Sequence, residues 1–259
     1  MKHNYHTHHE LCRHARGTAE DYVKEALKAD MKVIGFSDHA PSRMVNDERM
    51  SFEELETYLA DIRDVKARYI GRITIHTGLE IEYLDPDYEY YRNLKEKVEY
   101  FILGQHFIPS KSAKNGLRGT IAITEGEELI QYAKSVEKAL STGLFELVAH
   151  PDIYMGDYPT FDAHAKEAAE IIAEASLTYD VPLEFNANGV RKGLKAKEDG
   201  LHYRYPRKEF WDIARQKGCK ILLSADAHAP THLHDRAIRK SEALIWEWDL
   251  TIRETLIDL

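Results

Sequence analysis

Two short motifs stand near opposite ends of the chain, His6-Thr-His8 and Asp226-Ala-His228. On an extended backbone residues i and i+2 share a face, so either pair can grip one ion or line one cavity. Between them come Asp38-His39, Glu80 with Glu82, Gly104-Gln-His106, His150-Pro-Asp152 and Glu184-Phe-Asn186. Glu80 can bridge two ions, because a carboxylate has two oxygens. Imidazole and carboxylate donors together suit Zn²⁺, Mn²⁺ or Fe²⁺ better than Ca²⁺ or Mg²⁺. Taken singly, each residue reads equally well as a hydrogen-bonded interior group. Their regular placement calls for one cause, a metal centre.

That regularity appears once the chain is divided into elements. Strand-like runs occupy residues 2–8, 32–37, 72–82, 100–104, 145–149, 182–186 and 220–224. Amphipathic or Ala-rich helical stretches occupy 18–29, 51–69, 87–97, 124–141, 162–179, 206–217 and 235–248. Thr18 with Asp21, Ser51 with Glu54 and Thr124 with Glu127 stand in capping register, and Pro206 opens its helix. Segments 38–50, 111–123 and 188–205 read as loops. Strands alternating with helices imply a parallel sheet, either a closed barrel or an open doubly wound sheet. No glycine-rich phosphate loop follows any strand, which argues against the nucleotide-binding open sheet. Each strand delivers its candidate residue at the C-terminal end, where barrel enzymes build their sites. No linker-like segment interrupts residues 1–259, so one domain is expected.

The formal net charge is −9, which disfavours a nucleic-acid partner and leaves room for a small phosphorylated substrate neutralised locally by metal. Two distant cysteines make no disulfide framework. No apolar run suggests a signal peptide or membrane span, so a cytoplasmic location is expected. Cys12 could be a nucleophile, but the metal cluster already accounts for the chemistry; Cys219 reads as structural. Of the 14 histidines, His9 points away from the His6/His8 face by strand parity. His76 shares the parity of Glu80 but lies deeper, and His164 sits on a solvated helix. His202, His232 and His234 fall in loops.

His6-Thr-His8 with His14, Ser37-Asp-His39, Gly78-Leu-Glu80, Gly104-Gln-His106, Ala149-His-Pro151 and Ser224-Ala-Asp-Ala-His228 together resemble the ordered motifs of the PHP (polymerase and histidinol phosphatase) superfamily. The segments Tyr5-His-Thr-His-His-Glu-Leu-Cys12 and Glu184-Phe-Asn-Ala-Asn-Gly189 look most like its histidinol-phosphatase branch. The resemblance implies a distorted (β/α)7 barrel, TIM-like, with two or three divalent ions. By motif, His6, His8, Glu80 and Asp226 would hold the first ion. Glu80, His106 and His150 would hold the second, and His14, His39 and His228 the third.

The expected reaction is hydrolysis of L-histidinol phosphate to L-histidinol and phosphate. A hydroxide bridging two ions would attack phosphorus, and Asp226 or His228 would relay a proton. Arg16 and Arg191 are the favoured phosphate ligands, with Arg43 and Arg204 also near strand ends. Glu184, Asn186 and Asn188 are the candidates for the ammonium and imidazole groups. Two alternatives remain open at this point: a phosphodiesterase or exonuclease acting on nucleotides, and a non-catalytic metal-binding protein. Oligomeric state is left open.

Overall fold

A computed structural model describes residues 1–45, 48–113 and 115–257. Positions 46, 47 and 114, within the loops expected at 38–50 and 111–123, lie outside the described residues, as do 258 and 259. The chain begins β1 (His3–Asn4), α1 (Ala19–Lys28), β2 (Val33–Phe36), α2 (Leu55–Arg68), β3 (Thr74–Ile81), α3 (Tyr88–Lys95) and β4 (Tyr100–Leu103). A hairpin of β5 (Phe107–Pro109) and β6 (Leu117–Gly119) follows, then α4 (Gly126–Leu140), β7 (Leu147–Val148) and α5 (Ala163–Thr178). Next come β8 (Leu183–Asn186), the short α6 (Ala187–Arg191) and a second hairpin, β9 (Leu194–Lys197) with β10 (Gly200–Tyr203). The chain continues with α7 (Lys208–Lys217), β11 (Ile221–Ser224) and α8 (Arg236–Glu247).

Seven strands form one sheet in the order β1-β2-β3-β4-β7-β8-β11, with every neighbouring pair parallel. The two edges approach each other beyond β1 and β11, where Thr7 bridges Ala227. His8 N donates to Ala227 O at 2.9 Å and Ala227 N to His6 O at 3.2 Å. The sheet is thus a nearly closed barrel, and the expectation of a seven-stranded parallel barrel holds. Closure is what brings the first and last histidine motifs side by side.

Alternation along the strands separates two cores. Tyr5, Val33, Tyr100, Ile102, Leu147 and Leu222 pack inside the barrel, joined by Leu256 from the C-terminal segment. A larger apolar layer lies between the strands and the surrounding helices. Tyr100 lies across the middle of the barrel, its hydroxyl 2.6 Å from Tyr5 O and 3.0 Å from Phe36 O. It fits because Gly78 faces it: a Cβ there would lie 2.4 Å from the ring. The polar residues of β3 are therefore layered, with buried His76 below this plug and Glu80 above it.

Local expectations fared unevenly. Thr18 and Asp21 form the reciprocal box on α1, and Asp87, Asp162 and Asp235 cap α3, α5 and α8. Ser51 and Glu54 exchange hydrogen bonds as expected, but on a turn that precedes α2. The Thr124 box does not form: α4 starts at Gly126 behind Glu125, with no side-chain cap. Pro206 precedes Arg207, the N-cap of α7, rather than occupying its first turn. Segments 111–123 and 188–205 are not simple loops but carry β6, α6 and the β9–β10 hairpin. Lys197 pins that hairpin to the rim by donating to Met155 O (2.7 Å) and Tyr158 O (2.6 Å). Among the described residues, no helix is long and apolar enough to cross a membrane.

Candidate metal centre

The donors converge at the C-terminal ends of the barrel strands. His6 and His8 follow β1, His39 follows β2, Glu80 lies on β3, and His106 follows β4. His150 follows β7, and Asp226 with His228 follow β11. Four of these donors face one point. His6 Nε2 lies 3.3 Å from Glu80 Oε2 and 3.7 Å from Asp226 Oδ1. His8 Nε2 lies 3.4 Å and 3.5 Å from the same two oxygens. The other oxygen of Glu80, Oε1, is 3.3 Å from His150 Nε2 and 3.6 Å from His106 Nε2. Glu80 therefore stands between two groups of imidazoles, as a bridging carboxylate must.

A third group lies beside the first. His14 Nε2 and His228 Nε2 are 2.8 Å apart, while His39 Nδ1 is 3.0 Å from Glu80 Oε2. The sets His8/His39/His228, Cys12/His14/His228, His6/His8/Glu80 and His39/Glu80/His106 each bring one donor atom per residue within 4.8 Å of the others. All nine expected donors are thus brought together.

These residues fit divalent cations on physical grounds. Glu80 Oε1 and Oε2, His6 Nε2, His8 Nε2 and Asp226 Oδ1 are buried and have no hydrogen-bond partner. Leaving a buried polar atom unpaired costs about 1–3 kcal/mol, more for charged groups. Five such atoms gathered on both sides of Glu80 are explained by ligands they share. Ligand bonds of about 2.0–2.2 Å place neighbouring donors roughly 3–3.5 Å apart, close to the spacings observed. His150 (φ 31°) and Asp226 (φ 44°) both hold left-handed backbone conformations, strain of the kind stored at functional sites.

Burial raises the cost of charge throughout, yet the cluster overrides it. Glu184, Asp226 and Glu80 hold the His6 imidazole well above its ordinary pKa despite burial. His8 is likewise raised, to about 10, by Asp226, Cys12 and Glu80 against its burial. Burial drives His228 down to about 3, helped by His8 and His14. Burial would raise Glu80, but His39, His6 and His106 keep it well below the usual carboxylate range. Glu80 and Asp226 are thus held in the ionised form, facing the imidazoles around them.

A surrounding layer of carboxylates aims the imidazoles. His6 Nδ1 donates to Glu184 Oε1 at 2.7 Å, and His106 Nδ1 to Glu82 Oε1 at 2.6 Å. Such partners fix the ring and leave the opposite nitrogen for metal. Glu184 Oε2 accepts from His150 N (2.9 Å) and Asn186 Nδ2 (2.6 Å). Asn186 also donates to Asp226 Oδ2 at 3.1 Å. Both residues, expected as substrate contacts, are buried and hydrogen-bonded to His6, His150 and Asp226, which places them to orient those donors. Strand parity held the signal, since Glu184 and Asn186 share one face of β8. Glu184→Gln should cut activity or metal affinity about 10–100-fold with an unchanged circular dichroism spectrum. Wild-type metal content and kcat/KM would refute that role.

The expected arginines, Arg16 and Arg191, stand outside the cavity lining. Arg191 donates to Asp235 Oδ2 (2.7 Å), Asn188 Oδ1 (3.1 Å), Ala225 O (3.2 Å) and His232 O (3.3 Å). It ties α6 to α8 and does not line the cavity over the donors. Arg16 does not line it either; its main-chain N bonds to His228 O at 3.1 Å. The cavity, about 450 Å³, is bounded instead by Arg49, Lys192, Glu48, Asn188, Phe107 and Tyr205 around the donors. The sequence reading missed Arg49 and Lys192, which belong to segments taken as loops.

Comparisons with known proteins agree with this geometry. A Deinococcus radiodurans protein named "Probable histidinol-phosphatase" is 30% identical, over 87% of this chain and 85% of its own length. Histidinol-phosphatase of Bacillus subtilis is 25% identical, over 88% and 94%. The crystal structure of histidinol phosphate phosphatase (HISK) from Lactococcus lactis, complexed with Zn, L-histidinol and phosphate, shares the fold. Its TM-score is 0.68 at 18% identity, over 97% of this chain and 95% of that one. The PHP domain family matches residues 4–188, which include His6 through Asn186 of the site. With that match spanning well over half of its length, the chain belongs to the PHP family.

Proposed function

We infer that this chain is a metal-dependent phosphate monoester hydrolase acting on L-histidinol phosphate. The observation that carries the reading is the convergence of unpaired donor atoms of His6, His8, Glu80 and Asp226, of which Glu80 and Asp226 line a cavity sized for a small ligand. Relatives bearing the histidinol-phosphatase name along almost the whole chain supply the substrate. A structural neighbour holding Zn, L-histidinol and phosphate accords with it.

The donor set suits two ions bridged by Glu80, and His14, His39 and His228 suit a third; Zn, Mn or Fe all match the ligand types. Such ions supply Lewis acidity, activating water at neutral pH and neutralising the phosphoryl oxygens. The protein's own contribution is placement. Glu80 and Asp226 stay ionised, and Asn186 and Asn188 hold Asp226 by its Oδ2. Both ring nitrogens of His228 are engaged, with Asp226 O and His14 Nε2. Asp226 and His228 stand at the cavity as the two groups that would relay a proton from water to the leaving alkoxide. Lys192 and Arg49 on the cavity wall suit the phosphate, and Glu48 suits the ammonium group. Residues 1–259 act as one catalytic unit, because β11 and the following Asp226 and His228 complete both sheet and donor set. Two unpaired thiols fit a reducing, cytoplasmic compartment.

The test is a substrate panel with Zn²⁺ or Mn²⁺ supplied. L-histidinol phosphate should exceed p-nitrophenyl phosphate in kcat/KM by about 100-fold, from contacts beyond the phosphate. Turnover of single-stranded DNA without turnover of monoesters would replace this reading with a nuclease. Full metal loading with no hydrolysis would replace it with a metal-binding protein.

A further inference from the structure

Cys12 has no part in the chemistry above, yet its setting is not that of a packing residue. Cys219, the other cysteine, lies within the large apolar core and bonds to Ala173 O. Cys12 is fully buried but belongs to neither apolar cluster. It ends a one-turn 3₁₀ helix, Glu10–Cys12. Its carbonyl accepts from His14 Nδ1 at 2.8 Å, which turns His14 Nε2 toward His228 Nε2.

The sulfur is also within donor reach of its neighbours. Cys12, His14 and His228 each bring one donor atom within 4.8 Å of the others, and so do Cys12, His8 and Asp38. Asp38 and His8 are fully buried, and Asp38 Oδ2 and His8 Nδ1 have no hydrogen-bond partner. Two buried residues that carry unpaired polar atoms thus neighbour the sulfur. Cys12 does not line the cavity, so a nucleophilic attack on substrate is geometrically closed to it.

We propose that the Cys12 thiolate is a ligand of the third ion, added to His14, His39 and His228 as its fourth donor. This rests on the metal-centre reading. A sulfur donor makes this position softer than the nitrogen and oxygen positions around Glu80. It should therefore retain Zn²⁺ or Co²⁺ when excess Mn²⁺ displaces ions from the other two.

The test reloads metal-free protein with Co²⁺. Wild type and Cys219→Ser should show a near-ultraviolet thiolate-to-cobalt charge-transfer band beside the visible d–d bands. Cys12→Ser should lose the near-ultraviolet band completely while visible bands from the remaining ions persist. Cobalt bound with no such band in wild type, or a band that survives Cys12→Ser, overturns the proposal. No cobalt bound at all would instead sink the metal-centre reading. If Cys12→Ser does not fold, X-ray absorption of the zinc-loaded wild type decides: a sulfur shell at about 2.3 Å supports the ligand, and nitrogen and oxygen alone refute it.

Discussion

Glu80→Gln is expected to lower kcat/KM by about three orders of magnitude or more and to remove at least one ion per molecule. Glu80 is the one side chain whose two oxygens face different imidazole groups, His6 and His8 on Oε2, His106 and His150 on Oε1. An amide keeps the shape but loses the charge, and its nitrogen cannot ligate. Gly104 leaves the room this carboxylate occupies, since a Cβ there would lie 2.1 Å from Glu80 Oε1. Glu80→Asp should be nearly as damaging, since the carboxylate retracts by one methylene. The measurements are kcat/KM for L-histidinol phosphate and metal content of the purified variant, with circular dichroism as the control for folding. A variant with a full metal complement and wild-type turnover would show that Glu80 does not bridge.

Stripping the ions is the second large perturbation. Activity should vanish on dialysis against a chelator and return with Zn²⁺ or Mn²⁺. Thermal stability should fall with it, because the unpaired buried donors around Glu80 then lack their shared partner. An ion at about 1,000 times its dissociation constant contributes about 4 kcal/mol to the folded state. The return of metal should also release protons. In the metal-free protein the His6 and His8 pKa values are raised, His8 to about 10, so both rings carry a proton at neutral pH. Each must lose it to ligate, giving uptake of metal with release of about two protons. Affinity should therefore weaken as pH falls. Calorimetry of zinc binding in buffers of different ionisation enthalpy reads the proton count directly; a count near zero would mean that these rings are already neutral before the ion binds. On the stability side, raised imidazole values mean that charged His6 and His8 support the metal-free fold below the unfolded value near 6.5. That support declines as pH rises toward their folded values.

Much of the site was legible in advance because strand parity and strand ends are local properties. His6 with His8 and Asp226 with His228 follow from alternation, and Glu80 from its place on a long apolar run. His76, two layers below Glu80 on the same face, was set aside for its depth; it bonds to Glu99 at 3.0 Å, away from the donors. The hairpins were not legible. β5, β6, β9 and β10 are strands of only three or four residues, too short to show an alternation, and β9 and β10 are largely exposed, so their stability comes from packing on the rim. Their pattern does not differ from that of a loop.

Residue type and period alone determined which groups could bind metal and which end of a parallel sheet would present them. Partnership was decided elsewhere. Glu184 looked available for substrate until barrel closure set it against His6 Nδ1, 178 positions away. Arg191 looked like a phosphate ligand until α6 packed beside α8 and gave its guanidinium to Asp235. Hydrogen bonds and charge pairs act over a few ångströms, and distances between remote segments exist only once the seven strands have curled and met.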